Sequence, residues 1–205
     1  MRTTTHKTVI LPSTKLLAIA VVSLLLHGVT LGQLPRHGTI EGGTYVDQRF
    51  GMRYTFPKDL EVQTSLNGRP VGTGERQGSS EFLFNAMEKP NGHVRRGIFI
   101  TADPVGTFGA TESSGFLKSM IEKTLAPQDA VDVTTVIIAG HPFSESRVGG
   151  RFGGTGQLEF SGAQLATVCN GYFLAFSFSG TSPDDVTQLL HSMDHMELKC
   201  SAPSK

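Results

Sequence analysis

Residues 163–193 read AQLATVCNGYFLAFSFSGTSPDDVTQLLHSM, and this stretch decides the fold. Asn170-Gly171 stands between two β-prone runs, the pattern of a two-residue hairpin turn. On its far side Tyr172, Leu174, Phe176 and Phe178 alternate onto one face of a strand. Phe173 and Ala175 make the opposite face apolar too, so the strand is expected at the centre of a sheet covered on both sides. A helix follows. Ser182 is its cap, Pro183 takes the first helical position, and Asp185 completes a capping box. Val186, Leu189, Leu190 and Met193 then recur at i, i+3, i+4 and i+7, one core-facing stripe. Met196 to Cys200 leaves it as a short closing segment.

Moving back along the chain, Gly156 to Cys169 and Phe143 to Arg151 read as two further strands, parted by the glycine cluster at 149–156, with Gly140-His141-Pro142 turning the chain before them. Val131 to Ala139 is almost wholly β-branched, which favours a strand. Thr111 to Ala126 is a helix, stopped before Pro127, with Phe116, Leu117, Met120, Ile121 and Thr124 on one side. Glu81–Lys89 and Gly97–Ala102 form a hairpin around Pro90-Asn91-Gly92, with Phe82, Phe84 and Ala86 on one face. Residues 65–80, rich in glycine, read as a mobile loop. Earlier still, Met52, Tyr54 and Phe56 alternate with Gly51, Arg53 and Thr55 in a half-buried strand that Pro57 ends. Residues 33–43 read as a flexible lead-in. Hairpin connections dominate, so the predicted class is α+β with a mostly antiparallel sheet flanked by helices.

The first thirty residues carry a different signal. Arg2, Lys7 and Lys15 precede an uncharged apolar run from Leu16 to Leu26. Eleven residues are too few to span a bilayer, which takes about 20, and fit the apolar region of a signal peptide. Thr30 and Gly32 are the small residues at −3 and −1 of a cleavage before Gln33. The sequence therefore predicts residues 1–32 as a cleaved signal peptide, a single domain over 44–200, a tail at 201–205, and a secreted or periplasmic protein with no stable membrane span after cleavage. The whole chain balances 18 basic against 18 acidic residues. Losing Arg2, Lys7 and Lys15 leaves 15 against 18, a net −3. Neither value supplies the electrostatic attraction that nucleic-acid binding needs. Only two cysteines are present, too few for a multi-disulfide scaffold.

Tyr45, Phe50-Gly51-Met52 and Tyr54-Thr-Phe56-Pro57-Lys58-Asp59-Leu60 together resemble the opening of PsbP-like domains, an aromatic-Gly-apolar strand ending in Pro. The layout downstream is also similar: a long helix, a β-branched strand ending Ala139-Gly140-His141, two hairpin strands, Tyr172 to Ser179, and a Ser-Pro helix. The Mog family of Ran-binding import factors shares this architecture. The resemblance covers roughly residues 44–200 and implies an α/β/α sandwich. It also implies a non-catalytic binding or assembly role, with no site residue carried over. The chain departs from the pattern at Leu60, near the position where these domains often place Trp; it contains no Trp.

Several constellations invite chemistry. His191 and His195 stand four apart on the last helix, with Asp184 on the same polar side, an arrangement that suits zinc; with no third strong ligand, a solvated helix face is the favoured reading. A serine triad would have to draw on His141 or His93, but no Gly-x-Ser-x-Gly elbow exists around Ser161 or Ser177. The run from Gly149 to Gly156 lacks the Gly-Lys-Ser/Thr ending of a phosphate loop and reads as a hairpin loop. Arg95, Arg96, Arg147 and Arg151 read as solvated strand-edge cations. Cys169 and Cys200 either pair in an oxidising compartment or remain as one buried and one free thiol. No catalytic group, metal or cofactor is expected. Two roles follow. The first is a binding or assembly module for an unknown protein partner in the cell envelope. The alternative is a small-molecule or lipid carrier with a cavity between sheet and helix lined by Phe82, Phe84, Phe99 and Phe176. A metal-dependent enzyme at His191/His195 ranks third.

Overall fold

A computed structural model describes residues 38–63, 65–66, 69–70, 76–77, 80–89, 96–124, 131–152 and 158–200. Residues 1–32, read from the sequence as a signal peptide, residues 33–37 of the lead-in and the tail at 201–205 lie outside them, as do His93 and Arg95. Thirteen strands are present among the described residues: β1 (Thr39–Glu41), β2 (Thr44–Asp47), β3 (Met52–Thr55), β4 (Glu61–Val62), β5 (Ser65–Leu66), β6 (Arg69–Pro70), β7 (Arg76–Gln77), β8 (Ser80–Met87), β9 (Gly97–Pro104), β10 (Thr134–Ile138), β11 (His141–Phe152), β12 (Leu158–Cys169) and β13 (Tyr172–Gly180). Two helices, α1 (Ser113–Thr124) and α2 (Pro183–Leu190), complete the regular structure with short 3-10 turns at Thr107–Gly109 and His191–Met193.

The main sheet has the order β10-β11-β12-β13-β9-β8-β4, with β7 also paired to β8. Every pairing is antiparallel. The class is therefore α+β, as read from the sequence. β13 lies at the centre, and Phe173, Leu174, Ala175, Phe176 and Phe178 are all buried. Its even-numbered side chains join one core with Phe84, Ile98, Ile100, Phe143, Leu165, Val186 and Leu189. Phe173 and Ala175 join a second core with Phe116, Leu117 and Ile121. A helix thus seals each face: α1 lies on one, α2 on the other. Beside α2 a three-stranded sheet, β1-β2-β3, covers the rest of that face. Tyr45 and Tyr54 pack their rings on Phe84 at 5.1 and 6.2 Å, and Tyr54 meets Phe176 at 6.1 Å.

The turns follow their sequence chemistry. Asn170 and Gly171 adopt φ of 50° and 82°, the two positive values of a type I′ hairpin. The preceding hairpin turns on Ala139 and Gly140, at φ 51° and 77°, so His141 and Pro142 belong to β11 rather than to the turn. A third such turn, at Gly42-Gly43, corrects the lead-in reading: residues 39–41 are a strand paired with β2, and the fold begins before residue 44. Three more readings shift. Residues 65–80 contain the short pairs β5-β6 and β7-β8 instead of only loop. Gly149, Gly150, Arg151 and Phe152 extend β11, while 153–157 lie outside the described residues. The stripe Val186-Leu189-Leu190-Met193 crosses a change of helix type, because α2 ends at Leu190 and Met193 is in a 3-10 turn.

Beyond that turn the chain becomes a strap. Met196 and Leu198 are buried, and Glu197 exchanges backbone hydrogen bonds with Arg53, each 3.0 Å. Lys199 N–H donates to Phe50 O at 3.1 Å, and the strap ends in a Cys169–Cys200 disulfide with Cα atoms 4.9 Å apart. Gly51 is required here. Its φ is +53°, and a Cβ would lie 2.6 Å from the Lys199 Cβ. The glycine of the Phe50-Gly51-Met52 motif thus gives the strap its seat.

Candidate functional site: a cleft beside helix α1

A helix is about 10–12 Å wide and strands lie about 4.8 Å apart, so one helix covers two or three strands. α1 packs over β11, β12 and β13. Among the described residues no helix lies above the same face of β8 and β9. A half-open cleft of about 370 Å³ occupies this step, lined by Ser80, Phe82, Phe99, Thr101, Asp103, Phe108, Phe116, Met120, Ile121, Gln164 and Ser177.

A β-bulge equips the cleft with its aromatic wall. Phe82 pairs with Thr101 and Phe84 with Ile100, so β8 spends two residues where β9 spends one. The extra residue reverses the alternation. Phe82 stays on the cleft side, packed on Phe99 at 5.1 Å, while Phe84 turns into the core beneath α2 and β1–β3. The expected cavity lined by Phe82, Phe84, Phe99 and Phe176 is therefore corrected. Phe82 and Phe99 line the cleft; Phe84 and Phe176 pack on the opposite face of the sheet.

The far wall is a stack. Phe173 meets Phe116 at 4.4 Å, and Phe116 meets Phe108 at 5.9 Å. Phe108 sits in left-handed backbone, φ 57°, and is 41 % exposed. Lys123 Nζ lies 4.4 Å above its ring, placing a cation at the rim. The polar groups occupy two places. Ser177 Oγ donates to Gln164 Oε1 at 2.5 Å. Asp103 accepts from Ser80 Oγ at 2.5 Å and Thr101 Oγ1 at 3.2 Å. Burial raises the Asp103 pKa, and these two hydroxyls pull it partly back. The carboxyl is a buried acceptor in a recess whose surface is mainly apolar.

The residues singled out for chemistry do not converge. His191 caps the C-terminal end of α2, where its Nδ1 lies 3.2 Å from Asp194. His195 lies in the turn beyond the 3-10 segment, so the i, i+4 spacing no longer falls on one helix. Asp184 is in the first turn of α2, about 10 Å along the axis from His191 at 1.5 Å per residue. Among the described residues no group of three or more His, Cys, Asp and Glu side chains is placed to hold a metal ion. His141 Nε2 lies 3.0 Å from Leu198 O and fastens the strap. Ser177 faces the cleft on the other side of the sheet. Ser161 pairs with Gly149, at the far end of β11 from His141. Arg96 pairs with Asp59 and Arg147 with Glu145, the latter also donating to Thr187.

Sequence reasoning missed one buried cluster. Arg49 binds Asp47 at 2.8 Å and both oxygens of Glu81 at 2.9 and 3.0 Å. It ties the small sheet to the edge of the large one. Burial pulls the Arg49 pKa down, but hydrogen bonds and charge from Asp47 and Glu81 outweigh it and raise the net value. The cluster is satisfied internally and lies outside the cleft lining.

No protein-family model and no curated protein matches the sequence. Among solved structures, similarity extends to a cyanobacterial PsbP from Synechocystis sp. PCC 6803, at 10 % identity and TM-score 0.43, covering 79 % of this chain and 98 % of that one. LpqN, involved in cell envelope biogenesis of Mycobacterium tuberculosis, is similar at 8 % identity and TM-score 0.44, covering 72 % and 83 %. A Bacteroides thetaiotaomicron VPI-5482 protein is similar at 11 % identity and TM-score 0.42 over 78 % of this chain, which spans about half (49 %) of that one. At these values the likeness concerns the layout of strands and helices, and no residue role passes across it.

Proposed function

We propose that this protein is a non-catalytic binding module of the extracytoplasmic space that takes a small ligand with a large apolar part into the cleft beside α1. The cleft itself carries this reading. Its volume falls within the roughly 300–1,000 Å³ usual for ligand sites, and aromatic walls with a few polar groups are their usual lining. The Cys169–Cys200 disulfide fits an oxidising compartment. No helix among the described residues is long and apolar enough to cross a membrane. The apolar run at residues 16–26 supplies the export reading, and N-terminal sequencing of the protein from its native host should begin at Gln33; an intact Met1 overturns it.

The binding test uses 1-aminoanthracene, whose fluorescence rises in apolar surroundings. Purified protein should show saturable binding at one site. Phe99→Asp, which puts a charge in the aromatic wall, should abolish it while the circular dichroism spectrum persists. Non-saturable binding, or equal binding by the folded variant, refutes the proposal.

A protein partner in the cell envelope is the second reading. One observation favours it: β10 is an edge strand, and Ile137 on it is 69 % exposed. If this edge docks a partner, Ile137→Lys should lose an envelope protein that the unaltered protein retains.

A further inference from the structure

The cleft is electrically graded from floor to rim. Asp103 is only 3 % exposed. Its two oxygens each accept one hydroxyl, from Ser80 and Thr101, and a carboxylate has about four lone-pair sites. Capacity for a further donor therefore remains at a group that lines the cavity. Burial raises its pKa and the Ser80 and Thr101 hydroxyls lower it, and no ion pair to it is seen among the described side chains. Lys123 Nζ sits 4.4 Å over the exposed Phe108 ring, at the rim. Phe82 and Phe99, on the same sheet face as Asp103, and Phe116 and Met120 of α1 supply apolar lining beside it.

A ligand that is only hydrocarbon would bury the Asp103 carboxylate without a new partner, and buried charge without compensation is costly. An anionic head at the floor would meet a like charge in a low-dielectric recess. A donor head satisfies it. We infer that the cleft selects amphiphiles whose hydrogen-bond-donating end, a primary amine or a hydroxyl, reaches Asp103 while the hydrocarbon lies against Phe82, Phe99 and Phe116. This rests on the cleft being a binding site, as proposed above.

The test measures displacement of 1-aminoanthracene by decylamine, decanol and decanoate at neutral pH, each below its micelle-forming concentration. Decylamine should bind most tightly and decanoate most weakly, with a gap of at least about tenfold in Kd. In Asp103→Asn, which keeps the size of the side chain, the gap should shrink to within about twofold while decanol binding changes little. Decanoate binding as tightly as decylamine overturns the inference, since the head would then be meeting Lys123 at the rim. An unchanged gap in the folded variant overturns it as well. If Asp103→Asn fails to fold, the ranking on the unaltered protein still decides. Three competitors that displace the probe equally leave the site standing and remove its head-group selectivity. A probe that never binds removes the site itself.

Discussion

Reduction of the Cys169–Cys200 bond should cost this protein about 3.7 kcal/mol. The bond closes a loop with a sequence separation of 31, and the figure is the loop-closure entropy that such a crosslink removes from the unfolded chain at 25 °C. The folded state should change little, because the strap has its own contacts. Met196 and Leu198 remain buried, Glu197 remains paired with Arg53, and His141 still meets Leu198 O. With a urea slope of about 2 kcal/mol/M, the loss corresponds to a midpoint lowered by roughly 1.8 M. Equilibrium urea unfolding with and without reductant measures it, and reduction of the unaltered protein avoids the cavity that substitution at the buried Cys169 would introduce. The cleft lies on the other face of the sheet from the strap, so 1-aminoanthracene affinity should stay within about twofold. A stability change below about 1 kcal/mol would refute the loop-entropy reasoning. Full alkylation of both cysteines without reductant would refute the bond.

Four further outcomes follow from the structure. Arg49→Met leaves Asp47 and Glu81 facing each other without their cation, and should cost about 3 kcal/mol in urea unfolding; a loss below about 1 kcal/mol would mean the carboxylates find water instead. At the start of α2, Ser182→Ala should cost about 1 kcal/mol. Partial burial pulls the Asp185 pKa up, yet hydrogen bonds from Thr181 and Ser182 outweigh this and hold it below the ordinary 3.8. The Asp185 contribution is therefore present above that value and lost as pH falls through the lowered folded pKa. The stability gap between the protein and Asp185→Asn should close in that window, and a gap that widens on acidification contradicts the capping geometry. Stoichiometric zinc should leave the imidazole resonances of His191 and His195 unmoved, given that Asp184 sits at the opposite end of α2; a joint shift of both would restore the metal reading.

What could be read from the chain was local. The Asn170-Gly171 turn, the alternation along β13 and the Ser182–Asp185 capping box each depend on residues a few positions apart, and each appears in place. β1 is equally local: Gly42-Gly43 between Thr39-Ile40-Glu41 and Thr44-Tyr45-Val46 is itself a two-residue hairpin signal, masked by the glycine-rich composition of the lead-in. The cleft was not local. Phe82 and Phe84 stand two apart in sequence, which for a regular strand means one face; only the register against Thr101 and Ile100 separates them. Asp103 precedes Pro104 at a strand end, a setting in which Asp ordinarily serves a turn. What marks it as a floor group is cross-strand: Ser80 lies opposite it on β8, and Thr101, two residues back, shares its face. The width of α1 against that of the sheet is likewise a property of assembled layers. A recess made from the mismatch between one helix and eight strands needs no motif, so the sequence that predicts the strands and helices well is silent on the space they leave between them.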